Sequence, residues 1–514
     1  MTEDAGARRS AREVLAVVLR WLVVAGSGGY LATYLAIAFL RIGYPFELEW
    51  LEGGSLEQVA RLLRGQALYV VPGLEFVPFP YPPLYYVLAA VVAKLTGPGF
   101  FALRAVSFAS SMACFLAIYA LVWHETHDRF AAWVASGLFA ATFRAGGAWL
   151  DLARVDSLFL ALFLLGLVAM CRHPSAAGYA TAGVLFALSS LTKQTALAMC
   201  LPILLFAALS APRRAAWLGS ALGLVAAGAT AALLWTSGGW YGYYVFRLPF
   251  LFKWARPVFV DFWTDDLLRP LPIAATAAAV TIVGLLRTRD RSFFWLMAAI
   301  GMLGGAYRSR LQTGGYDNVL LPAYAVICIL FGLGVAIVLD HARRLADGRP
   351  VAEIAVYLGC LAQMVALAYD PRAAVPSARD RRAGEAIVRF LASVDGDVFV
   401  PFHGYLARLA GKASWAHGMP VLDVLRVELP EAGPLAEAHR AAIRERRFGA
   451  IVIDEPDGYA FMPEVEASYL RTRDLFADPE VFFPVTGTRT RPQHVFVPRG
   501  ALAPPEADVR VPGR

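Results

Sequence analysis

The chain has 514 residues, 58% of them hydrophobic and 17% charged, against about 25% charged in an average soluble domain. Its net charge of +7 would invite nucleic acid in a soluble protein, yet no RNA- or DNA-binding pattern is present. With a mean hydropathy of +0.54, the composition excludes an ordinary soluble globule and fits a multi-span membrane protein whose excess arginines sit in cytoplasmic loops.

The first element is Trp21 to Leu40, 20 residues without a charge, long enough to cross a bilayer. Arg8, Arg9, Arg12 and Arg20 precede it, which places the N-terminus in the cytoplasm. No small-residue cleavage site follows a short apolar core, so the span is an uncleaved anchor. ELEWLEGG, Glu47 to Gly54, emerges on the far side, and clustered carboxylates at that depth point to function. An amphipathic helix, Leu56 to Leu68, follows, with Val59, Leu62 and Leu63 opposite Arg61 and Arg64; such a helix lies in the interface. FPYPPLYY (79–86) then supplies a Pro-rich bend and tyrosines, either an interfacial belt or the lining of an outward pocket.

Further apolar segments run over about 84–97, 101–123, 130–149, 158–171, 176–192, 195–210, 215–235, 271–286, 292–307, 319–338 and 352–369. The basic loops at Arg172, Arg213–Arg214, Arg287–Arg291 and Arg343–Arg344 are cytoplasmic. Twelve crossings would return the C-terminus to the cytoplasm. The 14-residue segment 84–97, opened by Pro82–Pro83, is therefore read as interfacial, leaving about eleven spans; the rival is that a short segment around 158–192 fails to cross. Residues 1–370 form the transmembrane module, with a first outer loop over 42–83. Residues 371–514 are charged and mixed, with VFVPFH (398–403) and AIVIDE (450–455) as buried strands and 382–394 and 434–447 as amphipathic helices. The expected fold is thus an α-helical polytopic membrane protein with a small extracytoplasmic α/β domain, whose last dozen residues are Pro-rich and disordered. Cys114, Cys171, Cys200, Cys328 and Cys360 have no zinc-ligand spacing and read as small core residues.

Several outer-face residues are candidates for chemistry. A turn can present two of Glu47, Glu49 and Glu52 to one point. Asp156 stands with Arg154 at the lip of an apolar helix, though an Arg154–Asp156 or Asp151–Arg154 surface pair would explain them equally. Lys193, in LTKQT, is either a ligand for an anion or a snorkelling lysine. Arg308 and Arg310, beside a glycine turn, suit a phosphate. The loop 236–270, with Tyr244 and Arg247, is either an interfacial helix or a ligand contact.

The ordered set EGGSLEQVARLLRGQALY (52–69), YPPLYY (81–86), ARVDSL (153–158), LTKQ (191–194) and GYDNVLLPAYA (315–325) resembles the membrane-embedded C-type glycosyltransferases, among them protein O-mannosyltransferases and the aminoarabinose transferases of lipid A. The resemblance covers roughly residues 15–340. It implies single displacement with inversion from a polyprenyl-phosphate-linked sugar to a lipid, glycan or protein acceptor on the outer face of a bacterial cytoplasmic (inner) membrane. In the family the first outer loop carries an essential acid, usually Asp; this chain has Glu throughout. Glu52 matches best by its distance to Gly65, with Glu49 next, and Asp156 matches the second carboxylate. A divalent metal (Mg, Mn or Zn) between Glu52 and Asp156 is compatible with that set. The lysine that relatives place before Pro-Pro is Tyr81 here, which leaves Arg308, Arg310 or Lys193 for the donor phosphate. Arg154, Tyr81, Tyr85, Tyr244 and Arg247 would line the substrate pocket. The alternatives are a flippase or transporter of lipid-linked sugar, or a non-catalytic cell-envelope assembly subunit; pseudo-repeated halves typical of transporters are not visible.

Overall fold

A computed structural model describes residues 2–285, 289–344, 349–427 and 429–500; Arg287 and the Pro-rich tail lie outside them. Each apolar segment read from the sequence holds a helix, although the one read as 130–149 is helical only to Ala141 and continues as turns. In chain order these are α1 (Thr2–Arg41), α2 (Glu52–Leu63), α3 (Leu84–Thr96), α4 (Phe100–Thr126), α5 (Arg129–Ala141), α6 (Asp156–Arg172), α7 (Ala176–Ser190), α8 (Thr195–Ser210) and α9 (Pro212–Thr236), followed by Pro272–Leu285, Arg289–Leu311, Leu321–Arg343 and Arg349–Ala366. Among the described residues four helices are long and apolar enough to cross a membrane unaided, and two bent pairs raise this to at most six. The α3, α5, α7 and α8 helices are apolar but shorter. The arginine pattern therefore calls for more crossings than helix length alone supplies.

Burial sorts these helices. The most apolar 18-residue window of Asp317–Arg343 is 83% buried, whereas that of α9 is 11% buried. A helix apolar all round is stable in either place, in a protein core or against lipid. Leu321–Arg343 is accordingly the central post, and α9, with Leu224 and Trp235 exposed, faces outward on the rim.

The C-terminal part carries a four-stranded sheet of β1 (Asp397–Phe399), β2 (Phe448–Ile453), β3 (Tyr469–Asp474) and β4 (His494–Pro498) in the order β1-β2-β4-β3. β1 and β2 are parallel, and β4 runs antiparallel to both its neighbours. Only the start of VFVPFH is strand; Pro401 removes a ladder donor, and the chain turns so that His403 leaves the sheet. The expected helices appear as Ala378–Ser393, with a capping box between Ser377 and Asp380, and Ala432–Arg444.

One expectation is corrected. The first-loop helix does not lie open at the interface: α2 begins at Glu52, and residues 52 through 60 are all buried. The C-terminal part covers it, with Arg408 bonded to Glu57.

Candidate active site

The first outer loop is held by two arginines. Arg41, the last residue of α1, makes two bonds to Asp151 (2.7 and 2.5 Å) and reaches the carbonyls of Ala148 and Ala374 (2.8 and 3.0 Å). Asp151 thus belongs to Arg41, and neither surface pair weighed from the sequence forms. Arg104, on α4, donates to the carbonyls of Arg41, Tyr44 and Phe46 (3.3, 2.6 and 2.7 Å) and to both oxygens of Glu52 (3.1 and 2.6 Å). Glu52 also accepts from the backbone N–H groups of Leu48 and Ala153, each at 2.6 Å. Burial opposes its charge, but Arg104 and these donors outweigh it and hold its pKa below the ordinary value. Four bonds saturate this carboxylate, so it anchors the loop and has no free lone pair aimed at a substrate.

Glu49 is the opposite case. Its side chain is fully buried, and neither carboxylate oxygen has a hydrogen-bond partner. Arg154 stands 3.6 Å away. Burial pushes the Glu49 pKa up to about 8, Arg154 working against it and Glu52 and Glu47 adding to it. Glu49 lines a cavity of about 270 Å³ together with Tyr81, Trp149, Arg154, Lys193 and Gln194. Arg154 lies among the rings of Phe79, Tyr81 and Trp149 at 5.7 to 5.9 Å, and its Nη1 has no hydrogen-bond partner. Lys193 donates to Asp156 at 2.6 Å, and Asp156 also accepts from Asn318 (2.9 Å) and Trp149 (3.0 Å). A buried carboxylate without a hydrogen bond, ion-paired with Arg154 in a cavity that Lys193 also lines, is a poised arrangement.

The other expected site residues are scattered. Arg310 is spent on Asp266 (2.7 and 2.9 Å) and the Gly315 carbonyl (2.8 Å). Arg308 lies over the Trp254 ring at 5.5 Å. Neither lines the cavity, although Ser309 between them does. The Tyr85 hydroxyl bonds the Leu103 carbonyl at 2.9 Å and Ser107 at 3.1 Å, behind the cavity wall. Tyr244 is buried outside that wall, and Arg247 is half exposed near Glu431. The proposed metal pair does not fit: Arg104 and backbone donors occupy all four acceptor sites of Glu52, and Asp156 already holds the Lys193 ammonium together with Asn318 and Trp149. Among the described residues no group of three or more His, Cys, Asp or Glu is arranged to hold a metal ion.

Sequence reasoning missed Arg104 and Arg41, although a lone arginine inside FFALRAVSF was a visible signal. It also missed that the C-terminal part completes the site. Met419, Asp423 and Thr488 line the cavity, and burial raises Asp423 to about 7. Glu47, which accepts from the Gly53 N–H at 2.9 Å, meets His403 Nδ1 at 2.5 Å, and His403 Nε2 meets Asp454 at 2.9 Å. Burial disfavours the imidazolium, but Asp454 and Glu47 outweigh it and raise His403 to about 10. That value lies above the usual unfolded one, so the stability His403 supplies is present at neutral pH and fades as pH rises through about 10, while burial raises Glu47 to about 7 and weakens its share of the pair below that pH. His403→Gln should therefore lower the melting temperature at pH 7, by the equivalent of about 3 kcal/mol, and the gap should close above pH 10. A pH-independent gap in thermal melts would show that His403 is held uncharged.

Residues 80–240 match the family model described as dolichyl-phosphate-mannose-protein mannosyltransferase. No curated protein matches the chain in sequence. Among solved structures, ArnT from Cupriavidus metallidurans bound to undecaprenyl phosphate superposes with a TM-score of 0.60 at 13% identity, covering 93% of this chain and 98% of that one. The Archaeoglobus fulgidus oligosaccharyltransferase AglB, in complex with an inhibitory peptide and a dolichol-phosphate, matches with a TM-score of 0.51 at 10% identity, over 83% of this chain and 69% of that one. The A. fulgidus oligosaccharyltransferase in complex with Zn and sulfate gives 0.51 at 12% identity, over 86% and 71%. The chain thus shares the fold of these membrane-embedded transferases, and its residues 80–240 match the mannosyltransferase model.

Proposed function

We propose that the protein transfers a sugar from a polyprenyl-phosphate-linked donor to a hydroxyl of a glycan, lipid or protein acceptor, at the extracytoplasmic face of a bacterial inner membrane. The observation that carries this reading is Glu49, a buried carboxylate with no hydrogen-bond partner in a cavity that also holds Arg154 and Lys193. The acceptor oxygen attacks the anomeric carbon as Glu49 takes its proton, and the bond from that carbon to the phosphate oxygen breaks. The polyprenyl phosphate leaves with the bonding electrons, and Arg154 and Lys193 offset the charge that develops on it. One displacement inverts the anomeric centre. Asp156, through its bond to Lys193, is a positioning residue. About eleven crossings, with residues 1–370 in the membrane and residues 371–514 outside, put this cavity where a lipid donor arrives from the bilayer.

Purified protein given labelled polyprenyl-phosphate sugar should release free polyprenyl phosphate in step with glycosylated acceptor. Movement of intact donor across a vesicle without cleavage would instead make it a flippase. Lys193→Ala should weaken binding of undecaprenyl phosphate about 10- to 100-fold, the range for one hydrogen bond to a charged group, and slow transfer. Arg310→Ala should leave that affinity unchanged and lower thermal stability. Reversed effects, read by titration with the lipid phosphate, would move the phosphate site to the loop 308–318.

A further inference from the structure

A second cavity of about 210 Å³ adjoins the first, and the two share Trp50, Met419 and Thr488 in their walls. The second lies in the C-terminal part and has a different character. Asp454, Glu455 and Asp457 line it against Arg426, so it disfavours an anion. Its apolar walls are aromatic, chiefly Phe402, Tyr459 and Phe461, with His439 stacked on Phe461 at 5.0 Å and 8°.

Three of its lining residues hold a buried polar atom with no hydrogen-bond partner: Asp454 Oδ1, His439 Nε2 and the Tyr459 hydroxyl. The other oxygen of Asp454 is taken by His403 (2.9 Å) and Thr490 (2.5 Å). His439 Nδ1 donates to the Leu435 carbonyl at 2.9 Å, which leaves Nε2 as an acceptor. Two open acceptors and one hydroxyl in a buried setting are unfavourable unless something donates to them.

The occupant must therefore be small, below the roughly 300 Å³ at which drug-sized pockets begin. It must bring several donors, carry no negative charge and present a C–H face to aromatic rings, whose faces are electron-rich. We propose that this cavity binds a neutral monosaccharide unit of the acceptor, whose reacting hydroxyl, or that of the adjoining residue, passes Trp50 to reach Glu49. The inference rests on the glycosyltransferase reading, to which it adds the acceptor's class: a hydroxyl-rich, uncharged saccharide.

The test uses the full chain in lipid nanodiscs and saturation-transfer NMR with methyl α-mannoside, methyl β-glucoside and methyl β-galactoside, with mannose 6-phosphate as the anionic comparator. At least one neutral glycoside should bind saturably below about 10 mM, and more tightly than the phosphorylated sugar. Tyr459→Phe and Phe461→Ala should each weaken it at least tenfold while binding of undecaprenyl phosphate stays at the wild-type value. That retained binding also shows that both variants are folded. No saturation by any neutral glycoside, equal or tighter binding of the phosphorylated one, or binding indifferent to both substitutions would overturn the proposal. If the wild type binds a glycoside but no lipid phosphate, the donor reading fails and the sugar site stands.

Discussion

Glu49→Gln should reduce sugar transfer by at least about 100-fold, the scale of one general base, while the protein stays folded. The amide keeps the shape of the side chain and cannot take a proton. Its effect on stability should have the opposite sign to its effect on rate. Burial holds the Glu49 pKa at about 8, well above an unfolded glutamate, so the folded state favours the protonated form. Whatever stability that proton supplies is present at low pH and lost as pH rises through about 8. The variant should therefore melt higher than wild type at pH 8 and above, with the difference shrinking toward pH 5. The same ionisation should shape the rate: kcat/KM should climb with pH to a limb near 8, and the residual rate of Glu49→Gln should lack that limb. Full activity in Glu49→Gln, or a wild-type rate flat between pH 6 and 9, would remove Glu49 from the mechanism.

Glu52→Gln should fail for a different reason. Glu52 and Arg104 are both fully buried and bonded at 2.6 Å. Removing one partner of such a pair leaves the other charge uncompensated, which costs about 3–5 kcal/mol. The arginine also holds three carbonyls of the loop, so the loop that carries Glu49 should loosen with it. The expected result is a protein that melts markedly lower and is poorly recovered from the membrane. Arg104→Met together with Glu52→Gln should recover part of that loss, because no charge is then stranded. A Glu52→Gln protein that melts like wild type yet transfers nothing would restore Glu52 as the base, as the motif spacing implies.

The contrast between these two glutamates marks how far sequence reaches. Positive charges and apolar runs fixed where helices lie, because both signals are local. The segments 195–210 and 215–235 fall on α8 and α9 within three residues at either end. The cluster Glu49, Asp156 and Lys193 was legible because charge beside a bilayer is rare. Which glutamate is satisfied was not legible, since Arg104 reaches Glu52 across 52 residues and the Ala153 N–H reaches Glu52 across 101. Arg310 looked free for the same reason; its partner Asp266 is 44 residues upstream. The C-terminal part was legible as a small α/β domain, but its contacts were not: Thr486 pairs with Leu48 and Glu49, and His403 meets Glu47. No spacing rule encodes those encounters, because only the packed chain brings them together.

The most direct measurement is a single turnover with polyprenyl-phosphate sugar labelled at the anomeric carbon, comparing wild type with Glu49→Gln across pH 6 to 9. Direct displacement driven by Glu49 predicts free polyprenyl phosphate and a product of inverted configuration, formed at a rate that rises through about pH 8 in wild type and is nearly absent in the variant. Intact donor recovered from both proteins, a product of retained configuration, or a labelled sugar bonded to Glu49 would contradict it.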